Sequence, residues 1–190
     1  MRLSAEYIKK CDEVKDVPNG WLDVTDKMQK ELVKSFGFDD PISNDIACYE
    51  LRTAHIKYPN NPVFKESIFV KYNKANEGKL KVNDLAPNVK LHTLDNKEIE
   101  LSMLLESKLP TVIFSGSHTW QPFRAYLHVL NDYYNLNKSK FNMFIVYITE
   151  AHASDVWNIG LSAGTINESH KNINDRIKCA KKFQETFKMN

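Results

Sequence analysis

Two polar stretches each follow an apolar run: SHTWQPF (117–123) comes after TVIFSG, and EAHASDVW (150–157) comes after FNMFIVYIT. If both runs are neighbouring strands of one sheet, Ser117, His118, Thr119, Trp120, Glu150, His152, Asp155 and Trp157 converge on one edge, beyond the carboxyl ends where open α/β sheets collect ligands. Residues 119 to 121 also open a helical pattern. The unpaired N–H groups and partial positive charge of a helix start stabilise a thiolate, a selenolate or a bound anion. The stretch contains no thiol, and the indole of Trp120 is not a nucleophile. Each residue also has an ordinary structural role open to it. Glu150 can be a solvated carboxylate at a strand end and His152 a hydrogen-bonded loop histidine. Asp155 and Trp157 can be a loop anchor and its packing partner. His128 lies within the helical stretch, and His55 and His92 stand apart from these segments.

The elements that would hold these residues are legible from periodicity. TVIFSG reads as a continuous apolar strand, QPFRAYLHVLNDYYN as a helix with Phe123, Leu127, Leu130 and Tyr134 on one stripe, and FNMFIVYIT as a second buried strand. Strand, helix and strand in that order imply a parallel pair. Upstream, Val89 and Leu91 alternate with polar neighbours, LDNKE supplies a turn, and Ile99 and Leu101 resume the alternation, so 89–101 reads as a β-hairpin. LSMLL supplies one helical turn. A long polar loop, ASDVWNIGLSAGTINESHK, leads to a last helix capped by Asn172, with Asp175 at N3 and Ile173, Ile177, Ala180, Phe183 and Phe187 facing inward.

The first eighty residues read as helices. LDVTDKMQKELVKSFGF places Met28, Leu32, Val33 and Phe36 on one face and stops at Gly37. Asp40-Pro41 opens a further helix with a capping acid and a proline at its first position, and YPNNP at 58–62 is a turn. NEGKLKVNDLAPN (76–88) has the composition of a connector. The organisation expected is a helical N-terminal extension over 1–80 and an α/β domain over 81–190.

With 42% hydrophobic residues, 190 residues can bury one substantial core and a smaller appendage. Twenty-six basic and twenty-four acidic side chains leave +2 with the signs mostly interspersed, which argues against nucleic acid as a partner. The basic C-terminal stretch around Lys178, Lys181 and Lys182 is expected to be a solvated helix face. The apolar runs are shorter than the roughly 20 residues that cross a bilayer, and MRLSAEYIKKCDEV carries charges where a secretory leader is apolar. The expectation is a soluble, cytoplasmic protein. Cys11, Cys48 and Cys179 are far apart and without CxxC spacing, and no histidine pair has ligand spacing, so the sequence indicates no metal site and no bound cofactor.

GSHTWQPF followed one strand later by YITEAHASDVW resembles the iodothyronine deiodinase family, whose members carry a GS-x-T-selenocysteine-P-P-F loop and a Y-I-E-E-A-H-x-x-D-x-W segment. ELRTAHIKYPNNPVF and the stretch VKYNKANEGKLKVNDLAPNVKLHTLD are similar to deiodinase-related proteins, and the APNVKLHTLDNKEIEL hairpin is peroxiredoxin-like in style. The resemblance runs from about Glu50 to Cys179. It implies a thioredoxin-like α/β fold and reductive removal of iodine from a phenolic ring, with a small aromatic substrate and a thiol reductant as cosubstrate. It also implies a homodimer, the assembly to which the family tends. Trp120 occupies the nucleophile position, and His118 stands where animal members have a cysteine that serves as redox partner. Glu150 and His152 fall on the motif that relays protons. Thr119, Trp157 and His170 fall at substrate-binding positions.

Three departures bear on this reading. Trp120 replaces the nucleophile, and Gln121 replaces a proline. The family pattern also continues past residue 190 into strands that complete the sheet, so a partial sheet is expected here, with the 89–101 hairpin supplying two strands. Selenocysteine is encoded by UGA, which some genetic codes render as tryptophan, so Trp120 is either a misread selenocysteine or a true tryptophan in an inactive binding module. A redox role through another cysteine, as in a peroxiredoxin-like protein, is the third reading.

Overall fold

The computed structural model describes residues 1–72 and 78–189. It is a mixed α/β structure that divides into two compact units, Met1–Asn76 with Ser154–Ile166, and Glu77–Ala153 with Asn167–Asn190.

The first unit contains helices α1 (Ala5–Glu13), α2 (Gly20–Lys34), α3 (Pro41–Lys57), α4 (Pro62–Lys65) and α5 (Ile68–Tyr72). Ser4 caps α1 by accepting the Tyr7 N–H, and Asp40 caps α3 by accepting those of Ile42 and Ser43 at 3.1 and 3.0 Å. Both satisfy donors that a helix start leaves open. After α2 the chain turns at Gly37 (φ +93), where the Gly37 and Phe38 N–H groups reach back to the carbonyls of Lys34 and Val33, a Schellman closure that favours glycine. The buried stripe of α2 is shifted from the expected one. Met28 and Val33 are buried, but Leu32 and Phe36 are exposed, and the stripe instead takes in Thr25 and Gln29. Those polar side chains tolerate burial because Tyr7 shares a hydrogen bond with Thr25 (2.9 Å) and Arg52 donates to Gln29 (2.8 Å).

The segment Ser154–Ile166, expected to be a polar loop, is part of this unit's core. Trp157, Ile159 and Ala163 pack with Tyr7, Cys11 and Met28. A 3-10 turn at Gly160–Ala163 is tied to α1: the Leu161 N–H donates to Asp12 Oδ1 (2.5 Å) and Ser162 Oγ to the Cys11 carbonyl (2.6 Å). Gly160 has φ +61, and a Cβ there would lie 1.9 Å from Asp12 Oδ1, so this turn requires glycine.

The second unit begins with the expected hairpin, β1 (Lys90–His92) paired antiparallel with β2 (Glu98–Glu100), and a one-turn helix α6 (Leu101–Leu105). Residues 78–88 carry neither helix nor strand, while residues 76 and 77 of the expected connector lie outside the described residues. Strand β3 (Thr111–Gly116), helix α7 (Gln121–Asn137) and strand β4 (Asn142–Tyr147) form the expected unit, with β3 and β4 parallel from Thr111↔Asn142 to Gly116↔Tyr147. Helix α8 (Ile173–Phe187) follows, its Asn172 cap accepting the Asp175 N–H.

Two expectations are corrected. The hairpin does not join the parallel pair, so the described residues form two separate two-stranded sheets. β3 and β4 are also half-buried rather than buried, and Ile113 is exposed. The second follows from the first: a parallel strand is fully buried when it has neighbours on both edges, and among the described residues β3 and β4 pair only with each other. The side that is covered is packed by aromatic rings. Phe123 and Leu127 of α7 meet Phe183 of α8, with Phe114, Ile145, Tyr147 and Phe187 around them, each buried ring contributing about 1.5–3 kcal/mol.

Candidate active site

The two loops that leave β3 and β4 lie side by side and are joined by hydrogen bonds. Gly116 makes the first possible. A Cβ there would come within 2.3–2.5 Å of the Phe123 ring, so only glycine lets α7 fold back directly from the strand. Ser117 and Thr119 are buried beyond it. Ser117 Oγ accepts the Ala151 N–H (3.2 Å), and Thr119 Oγ1 accepts the His152 N–H (3.1 Å).

Glu150 is the centre of the arrangement. Its side chain is fully buried. It accepts the Thr119 N–H (3.0 Å) and hydroxyl (2.6 Å) on one oxygen, and the Tyr147 hydroxyl and the Asn167 amide (2.9 Å) on the other. Burial pushes its carboxyl pKa up, but the hydrogen bonds from Thr119, Tyr147 and Asn167 outweigh that and hold it below the ordinary range. Tyr147 in turn accepts the His118 N–H (3.1 Å), and burial followed by the Glu150 hydrogen bond pushes its phenol far up, so the hydroxyl keeps its proton. His170 Nε2 stands 3.5 Å from Glu150 Oε1, with its side chain 2% exposed, and its Nδ1 has no hydrogen-bond partner. Burial lowers its pKa against the opposing pull of Glu150, favouring the neutral imidazole.

Trp120 is the N-cap residue of α7 and its side chain makes no capping hydrogen bond. It is 43% exposed and stacks on Phe123 with centroids 6.3 Å apart and planes 15° apart. His118 is buried, its ring edge-on to Phe183 (5.6 Å) and Phe187 (5.4 Å). Burial, and then the Arg124 charge, lowers its pKa. Arg124 itself donates to the His118 carbonyl at 2.5 Å.

Of the residues selected from sequence, Ser117, His118, Thr119, Glu150, His152 and His170 are gathered around this network, with Trp120 next to Thr119. Asp155 and Trp157 belong to the other unit, and Trp157 is part of its core. Tyr147 and Asn167 were missed. A tyrosine as the last residue of a strand that opens onto the site was an available signal for the first. The polar loop gave none for the second, nor for Cys179, which approaches Glu150 and His170 only through α8.

The sequence profile described as iodothyronine deiodinase matches residues 27–189. The chain belongs to the iodothyronine deiodinase family. It is 32% identical to the type I iodothyronine deiodinase of Xenopus laevis over 104 residues, which are 55% of this chain and 40% of that protein. It is 31% identical to the type II enzyme of Rattus norvegicus over 99 residues (51% and 37%) and 30% identical to that of Bos taurus over the same length. The alignments thus span about two fifths of these deiodinases. Among the described residues no helix is long and apolar enough to cross a membrane.

Proposed function

We propose that the site supports reductive dehalogenation of an iodinated phenolic substrate of the iodothyronine type by a selenolate or thiolate at position 120. The observation that carries this is the direct tie between that position and a buried acid. Thr119, immediately before it, binds Glu150 through both N–H and hydroxyl, and Glu150 binds Tyr147 and Asn167 and faces His170. The parallel β3–α7–β4 unit, with position 120 at the start of α7, supports a thioredoxin-like architecture.

In this reading the nucleophile attacks the iodine, the carbon–iodine bond breaks, and the ring carbon takes a proton delivered through the Tyr147, Glu150 and histidine groups. The enzyme is left as a selenenyl or sulfenyl iodide. A thiol cosubstrate displaces iodide to form a mixed disulfide or selenenylsulfide, and a second thiol releases the enzyme with oxidation of the reductant to its disulfide. His152 and His170 are proton carriers, Thr119 is a positioning residue, and His118 is a packing group. An indole at 120 cannot perform the first step, so the reading requires selenocysteine or cysteine at 120 in the native protein. Mass analysis of the native peptide spanning residues 117–124 tests this: selenium at 120 supports the enzyme, and an indole mass contradicts it.

A second reading has its own support. The stacking of Trp120 on Phe123 gives a true tryptophan a packing partner, as in a binding module that has lost the chemistry. It predicts aromatic ligand binding without turnover.

A further inference from the structure

Cys179 is a free thiol on α8, remote in sequence from Glu150 and His170. Yet the Cys179 Sγ, a Glu150 oxygen and a His170 nitrogen all lie within 4.8 Å of one another. The ligand atoms around a tetrahedral zinc ion stand about 3.3–3.6 Å apart, given metal distances of about 2.0–2.3 Å. The Glu150–His170 separation of 3.5 Å already meets that spacing, and a rotation about the Cys179 side chain can close the remainder. His170 adds a second, independent indication. Its imidazole is 2% exposed, and its Nδ1 has no hydrogen-bond partner while its Nε2 has only the 3.5 Å approach of Glu150, an arrangement that costs about 1–3 kcal/mol for the buried, unpartnered nitrogen unless something engages it. The carboxylate is buried as well, which sets this cluster apart from the solvated acidic groups common on protein surfaces.

We propose that Glu150, His170 and Cys179 form a zinc-binding site. One sulfur, one imidazole nitrogen and one carboxylate oxygen suit a borderline-soft divalent ion. They do not suit magnesium or calcium, which favour all-oxygen shells. Three protein ligands leave a fourth position for water or the Tyr147 oxygen. Glu150 Oε1 already accepts from Tyr147 and Asn167, so the ion takes the place of one donor, and Asn167, on a loop, is the one that gives way. Thr119 keeps the other oxygen. The site does not depend on the identity of residue 120. Where the dehalogenation reading holds, zinc would occupy the same acid and imidazole and act as a reversible inhibitor.

The test is titration of the full chain with Co2+ and then Zn2+. Saturation at one equivalent is expected, with thiolate-to-cobalt charge transfer in the near ultraviolet and the visible bands of tetrahedral cobalt, both abolished by Zn2+. Cys179→Ser should lose the thiolate band, and His170→Gln should weaken binding more than about tenfold, with circular dichroism confirming that both fold. In the unaltered chain Zn2+ should slow alkylation of Cys179. No saturable binding, a thiolate band that persists in Cys179→Ser and so arises from Cys11 or Cys48, or equal alkylation rates would each overturn the proposal. None of these readouts involves turnover, so a failure here leaves the dehalogenation reading intact, and an inactive protein leaves the zinc site intact.

Discussion

Thr119 joins the two loops with three hydrogen bonds from a fully buried position. Replacing it by valine keeps the shape and removes the hydroxyl, leaving Glu150 one donor short and the His152 N–H unpaired. Thr119→Val should cost about 1–3 kcal/mol in urea unfolding, and an unchanged midpoint would show that water substitutes freely. The histidines set a pH window. Burial and Arg124 depress the pKa of His118, and burial depresses that of His170. Above about pH 6.5 both are neutral folded or unfolded and contribute no slope; below it the unfolded chain takes up protons that the folded chain refuses. Stability should therefore fall as pH drops below about 6.5, and His118→Phe, an aromatic among aromatics, should flatten part of that loss. A midpoint that rises on acidification would contradict the assignment. At this scale the sequence placed His118, Glu150 and His152 just beyond strand ends, because a strand end is a local property. It could not show that Asn167 and Cys179 reach the same carboxylate, since that is settled by how α8 and the loop before it return.

Among the elements, the junction of β3 and α7 is the most constrained. The Phe123 ring occupies the space a side chain at 116 would need, and Phe123 also stacks on Phe183 at 5.7 Å, so it has no free direction in which to move. Gly116→Ala should destabilise by about 1–3 kcal/mol and displace the start of α7, and so position 120. An alanine variant of unchanged thermal midpoint would show that the aromatic cluster yields. The β3–α7–β4 unit, the hairpin and the caps of α3 and α8 were legible because each is specified by a short pattern: continuous apolar runs, a turn between alternating residues, Asp-Pro, and Asn with Asp three residues on. The stripe of α2 was misplaced by one turn because Thr25 and Gln29 look like surface residues until their partners Tyr7 and Arg52 are known.

For the molecule as a whole, the notable feature is a chain that leaves its first unit after residue 76 and returns to it over Ser154–Ile166. Composition suggests a solvated loop there, but Trp157, Ile159 and Ala163 are enough apolar surface to hold it in a core. The return is secured by Asp12, whose carboxylate accepts the Leu161 N–H across 149 residues of sequence. Asp12→Ala should speed amide exchange at Leu161 by more than about tenfold, equivalent to a loss above about 1.4 kcal/mol; unchanged exchange would mean that packing of Trp157 alone holds the segment. Long-range closure of this kind leaves no mark in local periodicity, which is why 154–166 was read with the second domain. The central claim, that position 120 and the Glu150 network together perform dehalogenation, is tested most directly by iodide release from an iodothyronine with excess dithiol. Trp120→Cys should release iodide where the unaltered Trp120 chain does not, and adding Glu150→Gln should reduce the rate about 10²–10⁴-fold. No release from a folded Trp120→Cys protein, or release indifferent to Glu150, would contradict it.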